Sequence, residues 1–179
     1  MQIRRSGFTI VELVVVILIL GVLAATALPR FMNIDDEAHD SVVEAVQGGL
    51  RTGLSLFHAQ WIAQSQPGPG TALVEFNGLR TNNNGYPYGL TDTAADVVST
   101  SAECVEVYQG LLQDGAPSIS AAAALAAVTG SLTDVTAVRT GTNCGFHYTG
   151  QSSVAGAVVP LLTYDSTTGA IALGTATLP

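Results

Sequence analysis

Residues 7–13 read GFTIVEL, and they open an apolar run that continues over residues 14–28 as VVVILILGVLAATAL. Phe8 to Leu28 is 21 residues, or about 31 Å of helix at roughly 1.5 Å per residue, enough to cross a bilayer core. Arg4 and Arg5 precede the run, a layout typical of a membrane-inserted N-terminus whose positive end stays cytoplasmic. Glu12 is the one charge within it. A carboxylate there costs about 2.5–3.5 kcal/mol on insertion scales, which predicts a functional group with a partner.

Two ordinary interpretations compete for this segment. The first is a removable secretory signal peptide, since Ala25-Thr26-Ala27 fits an A-x-A site with cleavage after Ala27. The second is a plain membrane anchor. Neither gives Glu12 a purpose.

The string from Gly7 to Leu13 resembles the prepilin signature of type IV pilins and of the related type II secretion pseudopilins. The resemblance implies a prepilin peptidase that cuts after Gly7 and methylates the new amine of Phe8. The apolar segment then stays in the mature protein. Gly21 and Pro29 fall where pilins carry a helix-weakening glycine and a helix-kinking proline, so the resemblance makes them a helix hinge.

Glu12 has two possible partners after such a cut. The four-residue spacing allows a contact with the Phe8 amine of the same helix. In the family, the partner is the Phe8 amine of a neighbouring subunit, which would set axial register during assembly as a buried polar residue does in a coiled coil. An amine and a carboxylate are each costly alone in an apolar core and much less so as a pair.

The region after residue 30 predicts a second, amphipathic helical half. Apolar and small residues recur at helical spacing from Val42 to Phe57, and Pro67-Gly68-Pro69-Gly70 ends the pattern. Asn33 is expected to cap a helix that restarts after Pro29. One spine would therefore run from about Phe8 to about Gln64. The acids at its start predict a solvated face rather than a metal site: Asp35, Asp36, Glu37, Asp40 and Glu44.

The remaining residues predict a mixed head. Two helices are expected, a short amphipathic one over Ala102–Gln113 and an alanine-rich one over Ala121–Ala127. Residues 82–87 predict a surface loop, and Pro160 predicts an edge strand or a bulge. The expected strands are Leu73–Phe76, Val135–Arg139, Cys144–Tyr148, Val158–Tyr164 and Ala170–Ala176, the last two joined as a hairpin by residues 165–169.

Two cysteines, Cys104 and Cys144, lie in this head. In an oxidising, extracytoplasmic compartment such a pair predicts a disulfide, with two free buried thiols as the alternative. The bond would tie the short helix to the sheet, as the family's C-terminal disulfide does.

Composition excludes several classes of function. The chain has 179 residues and a net charge of −8, and all six basic residues are arginine. Without lysine it has no P-loop lysine and no Schiff-base or pyridoxal-phosphate lysine. The acidic balance argues against nucleic acid as partner. No catalytic, cofactor or metal site is predicted, because the motifs for them are absent.

The loop at Asn84–Pro87, the Cys104 helix and the hairpin from Thr163 to Ala170 together resemble mannose-sensitive haemagglutinin (MSHA) pilins, which are richer in lysine. The resemblances imply an α+β pilin fold, in which a long N-terminal helix packs its second half on an antiparallel sheet. The expected divisions are a cleaved leader (1–7), a transmembrane and filament-core half-helix (8–29), an amphipathic half-helix (30–66) and a globular head (67–179).

The function expected is therefore structural and not enzymatic. The subunit would enter the inner membrane of a Gram-negative bacterium with its head in the periplasm. It would then polymerise with identical or homologous subunits into an extracellular pilus for adhesion or motility. Its other partners would be prepilin peptidase, the assembly machinery and membrane lipid. A type II secretion pseudopilin is the nearer alternative, and a secreted binding module the distant one.

Overall fold

The computed structural model describes residues 8–91, 96–112 and 115–179, with the side chains of residues 28–33 left out of the description. The chain divides into two compact units, one up to Asp40 and one from Ser41 to Pro179. Gly7, the leader and Gln113 lie outside the described residues.

The first element is one long helix, α1, over Ile10–Ala63, which confirms the expected spine. Its backbone is helical across Pro29 and Asn33, so the prediction that Asn33 caps a restarted helix is wrong. A proline inside a helix costs about 3 kcal/mol, but it removes only one hydrogen bond, and a long helix on both sides retains the rest.

In the first unit, the segment Ile10–Ala27 is long and apolar enough to cross a membrane. None of its residues is buried within the protein. A helix that is apolar on all sides and buries none of them within its own chain is typical of a helix surrounded by lipid or by other helices. The acids predicted to form a solvated face, from Asp35 to Glu44, are exposed.

In the second unit, α1 buries one face against the head. The buried side chains recur every three or four residues, as one helical face requires: Val43, Val46, Leu50, Leu54, Phe57 and Trp61. The helix α2, over Ser101–Leu112, meets α1 at the C-terminal end of α2. A Cβ at Gly53 would overlap the backbone carbonyl of Leu111, and one at Gly49 would overlap the Leu112 side chain. The two glycines therefore let α2 approach α1 closely.

Two sheets complete the head. The smaller has three antiparallel strands in the order β1-β2-β3: Ala72–Leu73, Leu79–Thr81 and Pro87–Gly89. The larger has five in the order β4-β5-β6-β7-β8: Ile119–Ala122, Val135–Thr140, Asn143–Tyr148, Val158–Asp165 and Ile171–Thr177. All neighbours in it are antiparallel except β4 and β5, which are parallel. The architecture is the expected α+β pilin-like fold.

Two predicted elements of the head are wrong. The strand expected over Leu73–Phe76 ends at Leu73, and Val74–Phe76 forms a 3₁₀ turn that buries Phe76 against Phe57. The alanine-rich helix expected over Ala121–Ala127 is strand β4, then a 3₁₀ turn over Leu125–Ala127. Pairing with β5 overrides the helical propensity of alanine there, because a short alanine segment gains little from a helix with no face to bury.

Pro160 lies in β7, which has a strand on each side in the sheet order, so the prediction of an edge strand is wrong. The prediction of a bulge is also wrong, because the β7–β8 register runs through Pro160 without interruption. The β6–β7 pairs cover only Leu161 to Asp165 of β7, so this pairing begins one residue after the proline. At Pro160 itself, β7 therefore has no paired strand on the β6 side. The proline lacks a backbone N–H, but no hydrogen bond between strands is lost at this position.

Candidate functional site

The carboxylate of Glu12 is held by Thr9 at the start of α1. The Thr9 backbone N–H and hydroxyl donate to Glu12 Oε2 at 2.9 and 2.8 Å, and the Glu12 N–H donates back to Thr9 Oγ1 at 3.3 Å. This is a capping box, in which an N-cap Thr and a Glu three residues later satisfy each other's free donors. The T-x-x-E spacing of residues 9–12 is the sequence signature of this motif, and it was overlooked in favour of the charge of Glu12.

Glu12 is the one charged residue in the described segment from Phe8 to Ala27. Phe8 is 85% exposed and Glu12 is also exposed. Neutral donors from a single residue therefore hold the carboxylate within the subunit. A cation brought by another chain would make a stronger, charge-assisted bond there.

Gly21 lies within α1, and a Cβ built on it would meet nothing within 4 Å. No packing inside the subunit therefore requires a glycine at this position. Pro29 has a helical backbone. These two predicted hinge residues lie on the same helix as Glu12, and Phe8 lies just before that helix, whereas the predicted cysteines lie in the head.

The predicted disulfide between Cys104 and Cys144 is confirmed, and the alternative of two free thiols is wrong. Cys104 comes from α2 and Cys144 from β6, with 5.5 Å between their Cα atoms and both side chains fully buried. The bond closes a loop of 40 residues. It fixes α2 on the face of the sheet that also receives α1, because Tyr108 and Phe146 pack beside it in the same core.

The predicted surface loop at residues 82–87 is wrong in part, because Asn82 and Gly85 are buried. The Asn82 amide donates to the Ser166 carbonyl at 2.6 Å, and its Oδ1 accepts from the N–H groups of Asn84 and Tyr86, each at 2.9 Å. Asn84 in turn donates to the Thr167 carbonyl at 2.9 Å. The loop is therefore clamped onto the β7–β8 turn.

Aromatic rings from α1 complete this clamp. His58 stacks on Tyr86 with ring centroids 5.1 Å apart, and Trp61 donates to the Pro67 carbonyl at 3.0 Å. Gly85 has φ +79°, and a side chain there would run into the rings of Trp61 and His58. Only glycine fits both the left-handed backbone and the close ring contact. His58 is thus a structural residue of the clamp.

Two acids of the head, Asp134 and Asp165, both have local partners. Asp134 accepts from the Ser118 N–H and hydroxyl at 3.0 and 2.7 Å. Asp165 accepts from the N–H and hydroxyl of Thr167 at 2.8 and 2.6 Å and from the Thr168 hydroxyl at 2.9 Å. Partial burial raises the pKa of Asp165, but these hydrogen bonds outweigh it and leave the pKa below its ordinary value.

Within residues 8–91, 96–112 and 115–179, no three His, Cys, Asp or Glu side chains are grouped to hold a metal ion. His147 is buried in β6 near the Thr136 carbonyl, 3.3 Å from its Nδ1, and burial lowers its pKa. A neutral histidine hydrogen-bonded to its neighbouring strand is a structural residue.

Residues 3–28 match the family model of the prokaryotic N-terminal methylation motif. The chain is 31% identical over 117 residues to fimbrial protein Q of Moraxella bovis, covering 65% of this chain and 68% of that protein. It is 39% identical over 57 residues to the type IV narrow pilus major component PilA5 of Thermus thermophilus, covering 32% of this chain and 49% of that protein.

A third relative is the type II secretion system core protein G of Pseudomonas aeruginosa, 35% identical over 54 residues, or 30% of this chain and 38% of that protein. The matches to the Thermus and Pseudomonas proteins thus span half or less of those relatives. No solved structure matches the chain.

Proposed function

Because this chain belongs to the type IV pilin family, we propose that it is the structural subunit of an MSHA-like surface pilus serving adhesion or motility. The relatives' names describe pilus, fimbrial and secretion-system components, and none describes an enzyme. One observation carries the proposal: an apolar, unburied helical segment whose one charged residue is a glutamate precedes a disulfide-bonded α+β head.

Processing is one step of the proposed function. A prepilin peptidase cuts after Gly7 and methylates the Phe8 amine, and the match of residues 3–28 to the methylation motif supports this. The cut leaves the whole of α1, Ile10–Ala63, in the mature subunit. It also removes Arg4 and Arg5, so no side-chain cation remains near Glu12 in the sequence before Arg30.

Membrane insertion comes before this cut, while the leader is still attached. The segment Ile10–Ala27 crosses the inner membrane with the arginine-bearing leader on the cytoplasmic side, as the positive-inside rule predicts. The head then lies in the periplasm. The Cys104–Cys144 bond supports this placement, because disulfides form and persist in that oxidising compartment.

During assembly, Glu12 pairs with the Phe8 amine of a neighbouring subunit. The capping box offers the carboxylate only neutral donors, and the methylated Phe8 amine of another copy would give it a cationic partner across the subunit contact. Such a pair forms at one axial offset only, so it sets the register between subunits.

The MSHA-like subclass is supported by the head. The three segments that carry the resemblance meet in one region, where Asn82 and Asn84 join their loop to the β7–β8 turn. Cys104 anchors the helix that packs beneath them. A role of the pilus in adhesion or motility is what membership of the MSHA-like subclass implies.

The test is the mass of the mature chain and its place in the cell. We expect a chain that starts at Phe8 with one added methyl group and is recovered in sheared surface filaments. A deletion strain should lose these filaments and regain them with the wild-type chain. A mature chain starting at Leu28 would contradict the proposal and support the secreted binding module.

The second candidate function is a type II secretion pseudopilin, which the similarity to core protein G favours. The two functions predict different deletion phenotypes. A strain that keeps its surface pili but stops exporting enzymes through type II secretion would support the pseudopilin.

A further inference from the structure

The strand β8 has one bare edge. It closes the five-stranded sheet and hydrogen-bonds to β7 along one side. The Asp165 N–H donates to the Ala170 carbonyl at 3.0 Å, and the Leu178 N–H donates to the Ala157 carbonyl at 2.9 Å. In an antiparallel pair, the backbone N–H and C=O groups of successive residues point alternately toward and away from the partner strand. These two bonds therefore show that the backbone groups of even-numbered residues of β8 point toward β7. The backbone groups of the odd-numbered residues point away from the sheet: Ile171, Leu173, Thr175 and Thr177.

The first of these outward positions is occupied, and the others are open. Arg51 Nη2 donates to the Ile171 carbonyl at 3.3 Å. Among the described residues, nothing hydrogen-bonds to the outward backbone groups of Leu173, Thr175 or Thr177. Three N–H donors and three carbonyl acceptors therefore lie in a row along this edge.

The usual protections of an edge strand are absent from Ile171–Thr177. The strand has no charge and no proline, and its register with β7 is continuous over seven pairs. Leu173 is 47% exposed, and Val158, on the same face of the β7–β8 ribbon, is 65% exposed. Natural proteins normally block such a long, neutral edge because it templates strand pairing. An unblocked one therefore indicates a place where a strand is added.

The opposite edge of the same sheet is β4, which is also uncharged. The Val135 N–H donates to the Ser118 carbonyl at 2.9 Å. By alternation, Ser120 and Ala122 face β5, and the backbone groups of Ile119 and Ala121 face outward. In a chain with net charge −8, these neutral edges are where two copies approach without charge repulsion.

We propose that the β8 edge of one subunit pairs with the β4 edge of the next copy, so that head sheets join edge to edge along the filament. Two different edges of one sheet give a head-to-tail contact, which repeats along an open filament when the rotation between copies does not close a ring. A β8–β8 contact would instead close after two copies. The inference rests on the proposed function as a filament subunit.

Thr175→Pro tests the pairing, with Thr175→Val as its matched control. The Thr175 N–H points away from β7, so proline removes an outward donor and no bond of the β7–β8 ladder. We expect Thr175→Val to yield filaments at the wild-type level. Thr175→Pro should weaken each contact by about tenfold and reduce sheared filaments at least as much. Wild-type filament yield from Thr175→Pro would overturn the proposal.

Membrane-fraction levels and an intact Cys104–Cys144 bond establish that each variant is folded. If Thr175→Pro fails this check, Leu173→Glu takes its place, since it leaves the backbone intact and changes a side chain that is already 47% exposed. The added charge at every contact should again reduce filaments. Normal filaments from folded Leu173→Glu would overturn the proposal.

Cross-linking identifies the partner edge. In sheared filaments, the double variant Thr175→Cys, Ala121→Cys should give a ladder of multimers with a short thiol cross-linker, and Thr175→Cys alone should stay monomeric. Dimers from Thr175→Cys alone would mean a symmetric β8–β8 contact, and intact filaments without a ladder would mean that these edges do not meet. Both results overturn the inference and leave the filament function standing. Absence of filaments from the wild-type chain would contradict the function itself.

Discussion

Thr9 and Glu12 bind each other through three hydrogen bonds at the first turn of α1, two of which end on one carboxylate oxygen at 2.8 and 2.9 Å. Glu12 thus has a role in the lone subunit, where it caps the helix, and a proposed role in the filament, where it meets the Phe8 amine of a neighbour. The same oxygen cannot be fully engaged in both. Variants of the two residues therefore separate helix capping from assembly.

Glu12→Val should give a processed, membrane-embedded subunit but few or no filaments. The change removes an insertion cost of about 2.5–3.5 kcal/mol, and in the filament it leaves a buried amine unpaired at about 3–5 kcal/mol. Glu12→Asp should be intermediate, since its reach is one methylene shorter. The measurement is subunit content of the membrane fraction against sheared surface filaments.

Thr9→Val is the control for helix capping. It removes the hydroxyl and costs about 1 kcal/mol of helix stability, but it keeps the carboxylate, so filaments should form. Loss of filaments in Thr9→Val as complete as in Glu12→Val would mean that capping is what assembly needs. Normal filaments from Glu12→Val would mean that Glu12 does not set register.

Gly53→Ala and Gly48→Ala should change stability in opposite directions. A Cβ at Gly53 would overlap the Leu111 carbonyl, whereas a Cβ at Gly48 meets nothing within 4 Å. Gly48→Ala should therefore stabilise the protein by about 0.5–1 kcal/mol. Gly53→Ala should destabilise it by about 1–3 kcal/mol, since α2 must move outward. Chemical unfolding of the full chain in detergent measures both, and equal shifts would contradict the close α1–α2 contact.

Long periodic segments of the fold were predictable from sequence. The spine α1 and the four strands after Val135 follow from apolar spacing that persists over many residues. The strand β4 was not predictable in this way, because its four residues carry no period, and it exists through parallel pairing to β5. The turn at Val74–Phe76 was missed because Phe76 turns inward onto Phe57, a contact between distant parts of the chain.

The candidate site shows the same division between local and long-range signals. Gly7, Phe8 and Glu12 were found from a contiguous motif, and the Thr9 capping box was visible in the same letters. Asn82 gave no such sign. Its partner Ser166 lies 84 residues away, so its role appears only once the chain is folded. The cysteines were paired correctly because the chain has only two.

Asn82→Ala should destabilise the head far more than Asn83→Ala. Asn82 is buried, and its loss leaves the N–H groups of Asn84 and Tyr86 and the Ser166 carbonyl without partners. Buried unsatisfied groups cost about 1–3 kcal/mol each, so we expect about 3 kcal/mol in all. Asn83 is exposed and binds Asp96, a contact worth about 1 kcal/mol or less. Similar unfolding midpoints for the two variants would refute the clamp.

Removing the disulfide should destabilise the head by about 4 kcal/mol, the chain-entropy value for a 40-residue loop. The double variant Cys104→Ser, Cys144→Ser should show this loss by chemical unfolding and should reach the membrane in reduced amount. Reduction of the wild-type chain by dithiothreitol should lower stability to the same level without any substitution. A shift below about 1 kcal/mol in both would mean that the α1 and α2 packing alone fixes the head.

The stretch from Gly21 to Pro29 is helical in the lone subunit. Glycine costs about 1 kcal/mol and proline about 3 kcal/mol in a helix interior. In lipid the helix should persist, because unsatisfied backbone groups are expensive there. In a filament, neighbouring subunits can replace some of those contacts, so this is where we expect α1 to bend or unwind. A filament reconstruction with a straight, unbroken helix through residues 21–29 would refute the hinge.

The double variant Gly21→Ala, Pro29→Ala tests whether the hinge matters for assembly. It should stabilise the helix by about 4 kcal/mol, the sum of the two costs, and insert normally. Because unwinding then becomes more costly by the same amount, filaments should be fewer, or should keep an unbroken helix. Gly48→Ala is the matched control, since it removes a helical glycine outside the hinge and leaves unwinding of residues 21–29 unchanged. Wild-type filaments that still unwind in the double variant would mean that contacts between subunits, and not these two residues, set the hinge.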